Sequence, residues 1–299
     1  MQNGFSGVHW MLATPFDENE DVDAASIPAL VEEAARTGCQ GVVALGVTGE
    51  AARLTDEERR TVARAVIESA GGMPVTLGAT AASTSAAIAR CREAQDMGAA
   101  AVMVSAPPLG KPNPDSLFIH FQRISQAIDI PIVVQDYPQT SGVDMAPSFI
   151  ARLAEEIPSA RYLKLEDPPT PTKITAIRNL IGDRMAIFGG LGGVFLLDEL
   201  ARGSAGAMTG FAFPQVLVDI YRHMAEGDRA KAEAVFYKFL PMLLFEFQEG
   251  IGVAIRKYAL HQRGLISCPL VRHPGPQTRE ETRAEFHNLV KGSGLSLAG

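Results

Sequence analysis

The 299-residue chain has few cysteines, few aromatics and no surplus of positive charge. Each shortage excludes something. Its three cysteines, Cys39, Cys91 and Cys268, are odd in number and far apart, so neither a disulfide framework nor a Cys-x-x-Cys metal or redox motif is present. They read as reduced, structural thiols. Aromatic residues make up only 7% of a chain that is 46% hydrophobic, and its wealth of Ala, Val, Ile, Leu and Gly suits helices packed on a parallel sheet rather than an aromatic-rich sandwich. The formal charge of -7 leaves no basic stripe to displace phosphate counterions, so nucleic acid is not an expected partner. The histidines are scattered without His-x-x-x-His spacing, and no metal centre is expected. No uncharged apolar run reaches the roughly 18 residues of a membrane span. The residues from Met1 to Gly7 also lack a basic region followed by an apolar one. The expectation is a cytoplasmic protein that works on small molecules, away from membranes.

What the chain does have is rhythm. Short apolar runs recur at intervals of about 25 to 30 residues, each followed by an amphipathic stretch, which is the pattern of βα units. Strands are expected at 8–13, 41–45, 74–78, 100–105, 131–135, 162–166, 186–189 and 206–210. Among the helices between them, 56–69 opens with a Thr55/Glu58 capping box and 83–97 is closed by Gly98. Eight such units predict a (β/α)8 barrel over residues 1–224, with its active site at the C-terminal ends of the strands. Residues 225–299 are too few for a second α/β domain. Helical patterns at 228–262 and 278–291 predict a C-terminal extension packed on the barrel, its parts joined by the Pro/Gly-rich stretch 268–276. Within it, Phe236, Phe239, Leu240, Leu243, Leu244 and Phe247 form an apolar set expected to pack on the barrel. Partial exposure at a subunit interface is the second reading of that set.

One lysine is out of place. Lys164 sits between Leu163 and Leu165 in the middle of an expected buried strand, and with period two it shares a face with Tyr162 and Glu166. Apolar surroundings disfavour the ammonium form and prepare a neutral amine able to form a Schiff base with a ketone. A buried structural ion pair with Glu166 is the alternative that the segment alone leaves open. After the second strand, the turn Gly46, Val47, Thr48, Gly49, Glu50 has two glycines that let consecutive N–H groups and the Thr48 hydroxyl point at an anion such as a carboxylate. A plain strand-to-helix turn is the alternative there.

Together, that turn, the following Leu54 to Arg59 segment (Leu-Thr-Asp-Glu-Glu-Arg), the early Ala13, Thr14, Pro15, Phe16, and a lysine ending the sixth strand resemble the dihydrodipicolinate synthase/N-acetylneuraminate lyase superfamily of class I aldolases. The resemblance runs over essentially the whole chain. It implies an imine between Lys164 and a 2-oxo acid with no separate cofactor, and a carboxylate held by the turn 46–50. It sets Thr14, Gly46, Val47, Thr48, Gly49, Gly189 and Met208 against the substrate. In the run 189–193, Gly-Gly-Leu-Gly-Gly, the glycines then give substrate access to backbone, since no basic residue accompanies them to make a phosphate site. A homotetramer built from dimers, or a homodimer, is implied as well.

The chain departs from the superfamily pattern at definite places. Val47 replaces a hydroxyl residue, and Gln135-Asp136 stands where Tyr-Asn is usual, so the family's proton-shuttling tyrosine is an amide. The loop 139–142 lacks the synthase's arginine, and 106–110 lacks its second tyrosine. The phrases Val134-Gln135-Asp136, Lys164-Leu165-Glu166 and Gly206-Ala207-Met208-Thr209-Gly210, with Pro138, are more similar to the branch containing 2-keto-3-deoxy-L-arabonate dehydratase. That resemblance implies dehydration of a 2-keto-3-deoxy sugar acid, with Glu166 as the base that takes the C3 proton. Tyr137 either replaces the shuttle or merely covers the site, and Asp136 faces outwards to bond a loop amide. The rivals are a pyruvate-dependent aldolase or dihydrodipicolinate synthase-like enzyme on the same scaffold and, in another class, a noncatalytic 2-oxo acid sensor.

Overall fold

The computed structural model describes residues 5–108, 111 and 113–297. Leu109 and Gly110, part of the tyrosine-lacking loop, lie outside the described residues. Eight short strands run β1 (Gly7–Met11), β2 (Gly41–Ala44), β3 (Val75–Gly78), β4 (Ala101–Ser105), β5 (Ile132–Asp136), β6 (Tyr162–Leu165), β7 (Ala186–Gly189) and β8 (Gly206–Thr209). Each pairs in parallel with its sequence neighbour, and β8 returns to β1, closing the barrel. All lie within two residues of the expected bounds. Local backbone explains the differences; Leu45, expected inside the second strand, turns left-handed at φ 60° and ends β2 at Ala44.

Around the barrel lie α1 (Ile27–Arg36), α2 (Asp56–Ser69), α3 (Thr84–Asp96), α4 (Pro114–Ser125), a single turn α5 (Pro138–Ser141), α6 (Pro147–Glu156), α7 (Thr170–Ile181), α8 (Leu196–Ala201) and α9 (Pro214–Ala225). The capping box is present, with the Glu58 N–H donating to the Thr55 hydroxyl and the Thr55 N–H to the Glu58 carboxylate. Among the described residues no helix is long and apolar enough to cross a membrane.

Alternation along the strands divides the core in two. Inward positions Met11, Val43, Met103, Val133, Tyr162, Phe188 and Met208 fill the barrel, while Val8, Trp10, Val102, Leu163 and Ile187 pack outwards beneath the helices. The N-terminal end is filled by aromatic rings: Phe5 stacks on Tyr162 at 4.6 Å and tilts against His9 at 4.7 Å. A packed interior leaves the C-terminal mouth as the place for a site.

The extension comprises α10 (Arg229–Glu246), α11 (Gly252–Gln262) and α12 (Glu280–Ser293). The helical pattern read over 228–262 is thus broken. Gly250 takes a left-handed φ of 81°, and a Cβ on Gly252 would stand 2.5 Å from the Glu246 carbonyl oxygen, so the chain reverses where only glycine fits. Phe236 and Leu243 of the apolar set are buried and Phe239, Leu240 and Phe247 half-buried against the core, whereas Leu244 is 52% exposed. A buried ionic clasp fastens the extension to the barrel. The Glu50 carboxylate meets the Lys257 ammonium at 2.6 Å and Arg53 at 2.8 Å and accepts the Arg272 N–H at 3.0 Å. Lys257 also donates to the Leu270 carbonyl and lies 4.1 Å over the Phe16 ring.

Gly189 corrects an expectation. It faces away from the mouth, and a Cβ there would fall 1.7 Å from Oε2 of Glu199, so its bareness makes room for a carboxyl packed between β7 and α8. Glu199 accepts the Thr170 hydroxyl at 2.5 Å, yet burial, helped by the charge of Glu166, pushes its carboxyl up to about 8. Unfolded, the same group titrates near 4.5. Between those values the folded chain holds the extra proton, so Glu199's share of stability is full below the lower value and is lost as pH rises to the upper one. Melting temperature is therefore expected to fall between about pH 5 and about pH 8, and Glu199→Gln to reduce that fall. Thermal melts of both proteins across this range check it; identical slopes would show that Glu199 is not the titrating group.

Candidate active site

At the mouth, β6 delivers Lys164 and the residue just past its end, Glu166, to the same side. Lys164 Nζ lies 2.9 Å from Glu166 Oε2 and 3.0 Å from the Met11 sulfur, and both side chains are buried. Gln135 is the register partner of Lys164 on β5, and its Nε2 donates to the same Oε2 at 2.8 Å. One carboxylate oxygen therefore accepts from amine and amide together. Glu166 reaches this position because Gly190 has no side chain: a Cβ there would stand 2.4 Å from Glu166 Cγ. The run 189–193 thus makes room for the Glu199 and Glu166 carboxylates. Further along it, Gly192 does face the cavity and donates its N–H to the Thr209 hydroxyl at 2.9 Å.

A cavity of about 220 Å³ opens over Lys164. It brings together Lys164, Glu166, Tyr137, Val47 and Thr48 from the expected set, with Met11 as part of the wall. Gly46 and Gln135 line an adjoining cavity of about 640 Å³ that shares Val47, Gly250 and Val253 with the first. Thr14, Gly49 and Met208 are not on the wall of either. Thr14 supports the turn from beneath, its hydroxyl donating to the Gly49 carbonyl at 2.7 Å. Met208 belongs to the packed barrel interior, and its outward neighbour Thr209 lines the cavity instead.

The turn 46–50 is closed by the Glu50 N–H donating to the Val47 carbonyl at 3.0 Å. Among the described residues, the N–H groups of Thr48 and Gly49 have no protein acceptor. That leaves donors for an anion beside the Thr48 hydroxyl. Tyr137 follows the last residue of β5, and burial together with the charge of Glu166 raises its hydroxyl above the ordinary tyrosine value, which keeps it a proton donor.

Asp136 behaves differently from the expectation. Rather than bonding a loop amide, its buried carboxylate is paired at 2.7 Å with the Lys173 ammonium of α7, which also meets Asp167 at 2.7 Å. A charge that deep needs a countercharge. Burial still pushes the Asp136 carboxyl up to about 6 against the pull of Lys173.

Two buried charged residues of the site were not foreseen. Arg256 of α11 lines the cavity, with Nη1 3.3 Å from the Thr48 hydroxyl oxygen and Nε 3.3 Å from Glu246 Oε2. Glu246, at the end of α10, also accepts the Ala212 N–H at 3.0 Å, and burial pushes its carboxyl up to about 7 against the charge of Arg256. The signal for Arg256 was present: with Lys257 it interrupts the apolar residues Ala254, Ile255, Tyr258, Ala259 and Leu260, as Lys164 interrupts a strand.

Comparison with known proteins identifies the family. The chain matches the dihydrodipicolinate synthetase family over residues 4–293. It is 33% identical over 290 residues to L-2-keto-3-deoxyarabonate dehydratase of Azospirillum brasilense, covering 95% of this chain and 93% of that protein. Similarity to 4-hydroxy-tetrahydrodipicolinate synthase of Methanothrix thermoacetophila is 31% identity over 289 residues, 96% of each chain. The crystal structure of dihydrodipicolinate synthase from Rhodopseudomonas palustris superimposes with a TM-score of 0.92 at 36% identity, covering 96% of this chain and 97% of that one. The chain thus belongs to the dihydrodipicolinate synthetase family and is a lyase of the class I aldolase and dehydratase type.

Proposed function

We propose that this lyase dehydrates a 2-keto-3-deoxy sugar acid through an imine on Lys164, with no separate cofactor. The contact of Lys164 and Gln135 with one oxygen of Glu166 carries the reading. Retro-aldol cleavage needs a group that takes the proton from the C4 hydroxyl, and in this site the relay position holds an amide, which cannot exchange a proton at neutral pH, beside the aliphatic Val47. Dehydration needs instead a base near C3. Once Lys164 Nζ is bonded to C2, C3 is a single bond further, within reach of a carboxylate already 2.9 Å from that nitrogen.

The steps balance with these groups alone. Glu166 takes the ammonium proton as the amine adds to C2, then returns it to the carbinolamine hydroxyl, which leaves as water. The iminium acidifies C3, Glu166 accepts that proton, the enamine pair expels the C4 hydroxyl, protonated by Tyr137 as it departs as water, and Tyr137 regains its proton from Glu166. Hydrolysis of the unsaturated imine and tautomerisation towards C5 yield a semialdehyde that keeps every carbon. A sensor of 2-oxo acids would bind its ligand without a covalent amine, so Lys164 has no task in that reading.

Borohydride reduction with pyruvate and a panel of 2-keto-3-deoxy acids is expected to fix an adduct on Lys164, found by peptide mass. Lys164→Ala is expected to form none and to lose turnover while still folding. Substantial residual turnover in that variant would remove the imine mechanism.

Glu166→Gln keeps the shape but cannot accept a proton. The variant is expected to form the reducible imine yet exchange C3 protons slower by roughly 10²-fold, read by deuterium uptake. Unchanged exchange would place the base elsewhere.

Product identity decides between dehydration and cleavage. The wild type is expected to give the semialdehyde, and Gln135→Tyr with Val47→Thr to introduce some release of pyruvate. Stoichiometric pyruvate from the wild type would mean that Tyr137 has taken over the relay and that the enzyme is an aldolase.

A further inference from the structure

We infer that Arg256, supplied by the C-terminal extension, is a carboxylate-binding residue of this site: its guanidinium and the turn 46–50 together clamp the C1 carboxylate of the 2-oxo acid. The inference rests on the imine at Lys164 only for which carboxylate is held.

Four observations support it. Arg256 is buried, with 7% of its surface exposed, and lines the cavity over Lys164. Its two bonds, Nη1 to Thr48 and Nε to Glu246, are both 3.3 Å, at the long end of the hydrogen-bond range. Among the described residues Nη2 has no acceptor, so a buried cation with a planar fork of donors has some of them unused. Finally, Nη1 stands 3.3 Å from the Thr48 hydroxyl oxygen and both residues line the cavity over Lys164, so a cation and a hydroxyl meet at one place on its wall, next to the turn whose Thr48 and Gly49 N–H groups have no acceptor among the described residues.

The carboxylates facing Arg256 do not occupy that place. Glu246 lies on the α10 side, already takes the Ala212 N–H, and carries a carboxyl that burial pushes up to about 7, so it offsets the guanidinium charge only in part. Glu249 is on the cavity rim and exposed, and Glu166 is held by Lys164 and Gln135. A guanidinium meets a carboxylate with two parallel N–H···O bonds, a geometry that a neutral amide or ketone cannot match. The clamp therefore makes the site selective for 2-oxo acids over their neutral analogues, and it makes the extension a contributor to substrate binding.

The test compares pyruvate with pyruvamide, which has the same carbonyl and no charge. In borohydride trapping, Arg256→Met is expected to raise the half-saturating pyruvate concentration by about tenfold or more. The half-saturating pyruvamide concentration is expected to stay within about twofold, and Arg256→Lys to fall between wild type and Arg256→Met for pyruvate, because it keeps the charge and loses the fork. Unchanged pyruvate saturation, or equal losses for pyruvate and pyruvamide, would overturn the assignment. If Arg256→Met fails to fold because Glu246 is left unpaired, Arg256→Met with Glu246→Gln removes the pair together and the same comparison is made. The Lys164→Ala protein, in which no imine forms, separates the two proposals. Saturation-transfer NMR of pyruvate with and without Arg256→Met reads the clamp alone, so a wild type that is never trapped at Lys164 overturns the imine reading while this titration still decides Arg256.

Discussion

The close contact between Lys164 and Glu166 is the constraint on which the mouth of this barrel depends. An ammonium is no nucleophile and a protonated carboxyl is no base, so the pair is idle until one gives its proton to the other. They are buried and held 2.9 Å apart, and in the proposed mechanism each later step reuses the same oxygen. Gln135 donates to that oxygen at 2.8 Å through an amide N–H, which has no protonation equilibrium to lose. In the proposed mechanism the position orients a carboxylate instead of moving a proton.

Around this pair, the strand ends are held by other buried ions. Lys173 of α7 ties Asp136 at the end of β5 to Asp167 beyond β6, and these residues adjoin Gln135 and Glu166. Lys257 and Arg53 hold Glu50 at the end of the turn 46–50, while Glu246 holds Arg256 over it. Buried ion pairs add little net stability compared with well-packed apolar side chains, but breaking one is costly because the survivor is left uncompensated. Such contacts therefore suit a place where position matters more than stability.

Much of this was legible in the sequence because the carrying signals are local. Period two set Tyr162, Lys164 and Glu166 on one face, and the rhythm of apolar runs gave eight strands to within two residues. The glycines were harder. Gly189 and Gly190 were read as open backbone beside a substrate, whereas their missing side chains are filled by Glu199 and Glu166, residues 10 and 24 positions away. A glycine announces that something is close but not what. The same holds for Asp136: its burial could be guessed from the strand, but its partner is a lysine on the third helix after it, α7. The break at Gly250 to Gly252 escaped because the apolar pattern continues across it, and only the turn it makes reveals that α11 heads back towards the barrel.

That break gives the extension its purpose in the site. A single straight helix over 228–262 would carry Arg256 about 15 Å along its axis beyond Glu246, at a rise of about 1.5 Å per residue, too far to pair with it. The reversal instead brings the two within 3.3 Å and lays the residues from Phe247 to Gly250 across the mouth. The clasp between Glu50 and Lys257 then fixes how α11 sits, and because Lys257 is the next residue after Arg256, it fixes where the guanidinium points. Glu50 thus serves the turn twice, closing it through its own N–H and locating across it the cation that the turn itself lacks. The barrel supplies the amine and the carboxylate beside it from its strand ends, but the buried fork of positive charge over that mouth comes from outside the barrel, on the extension.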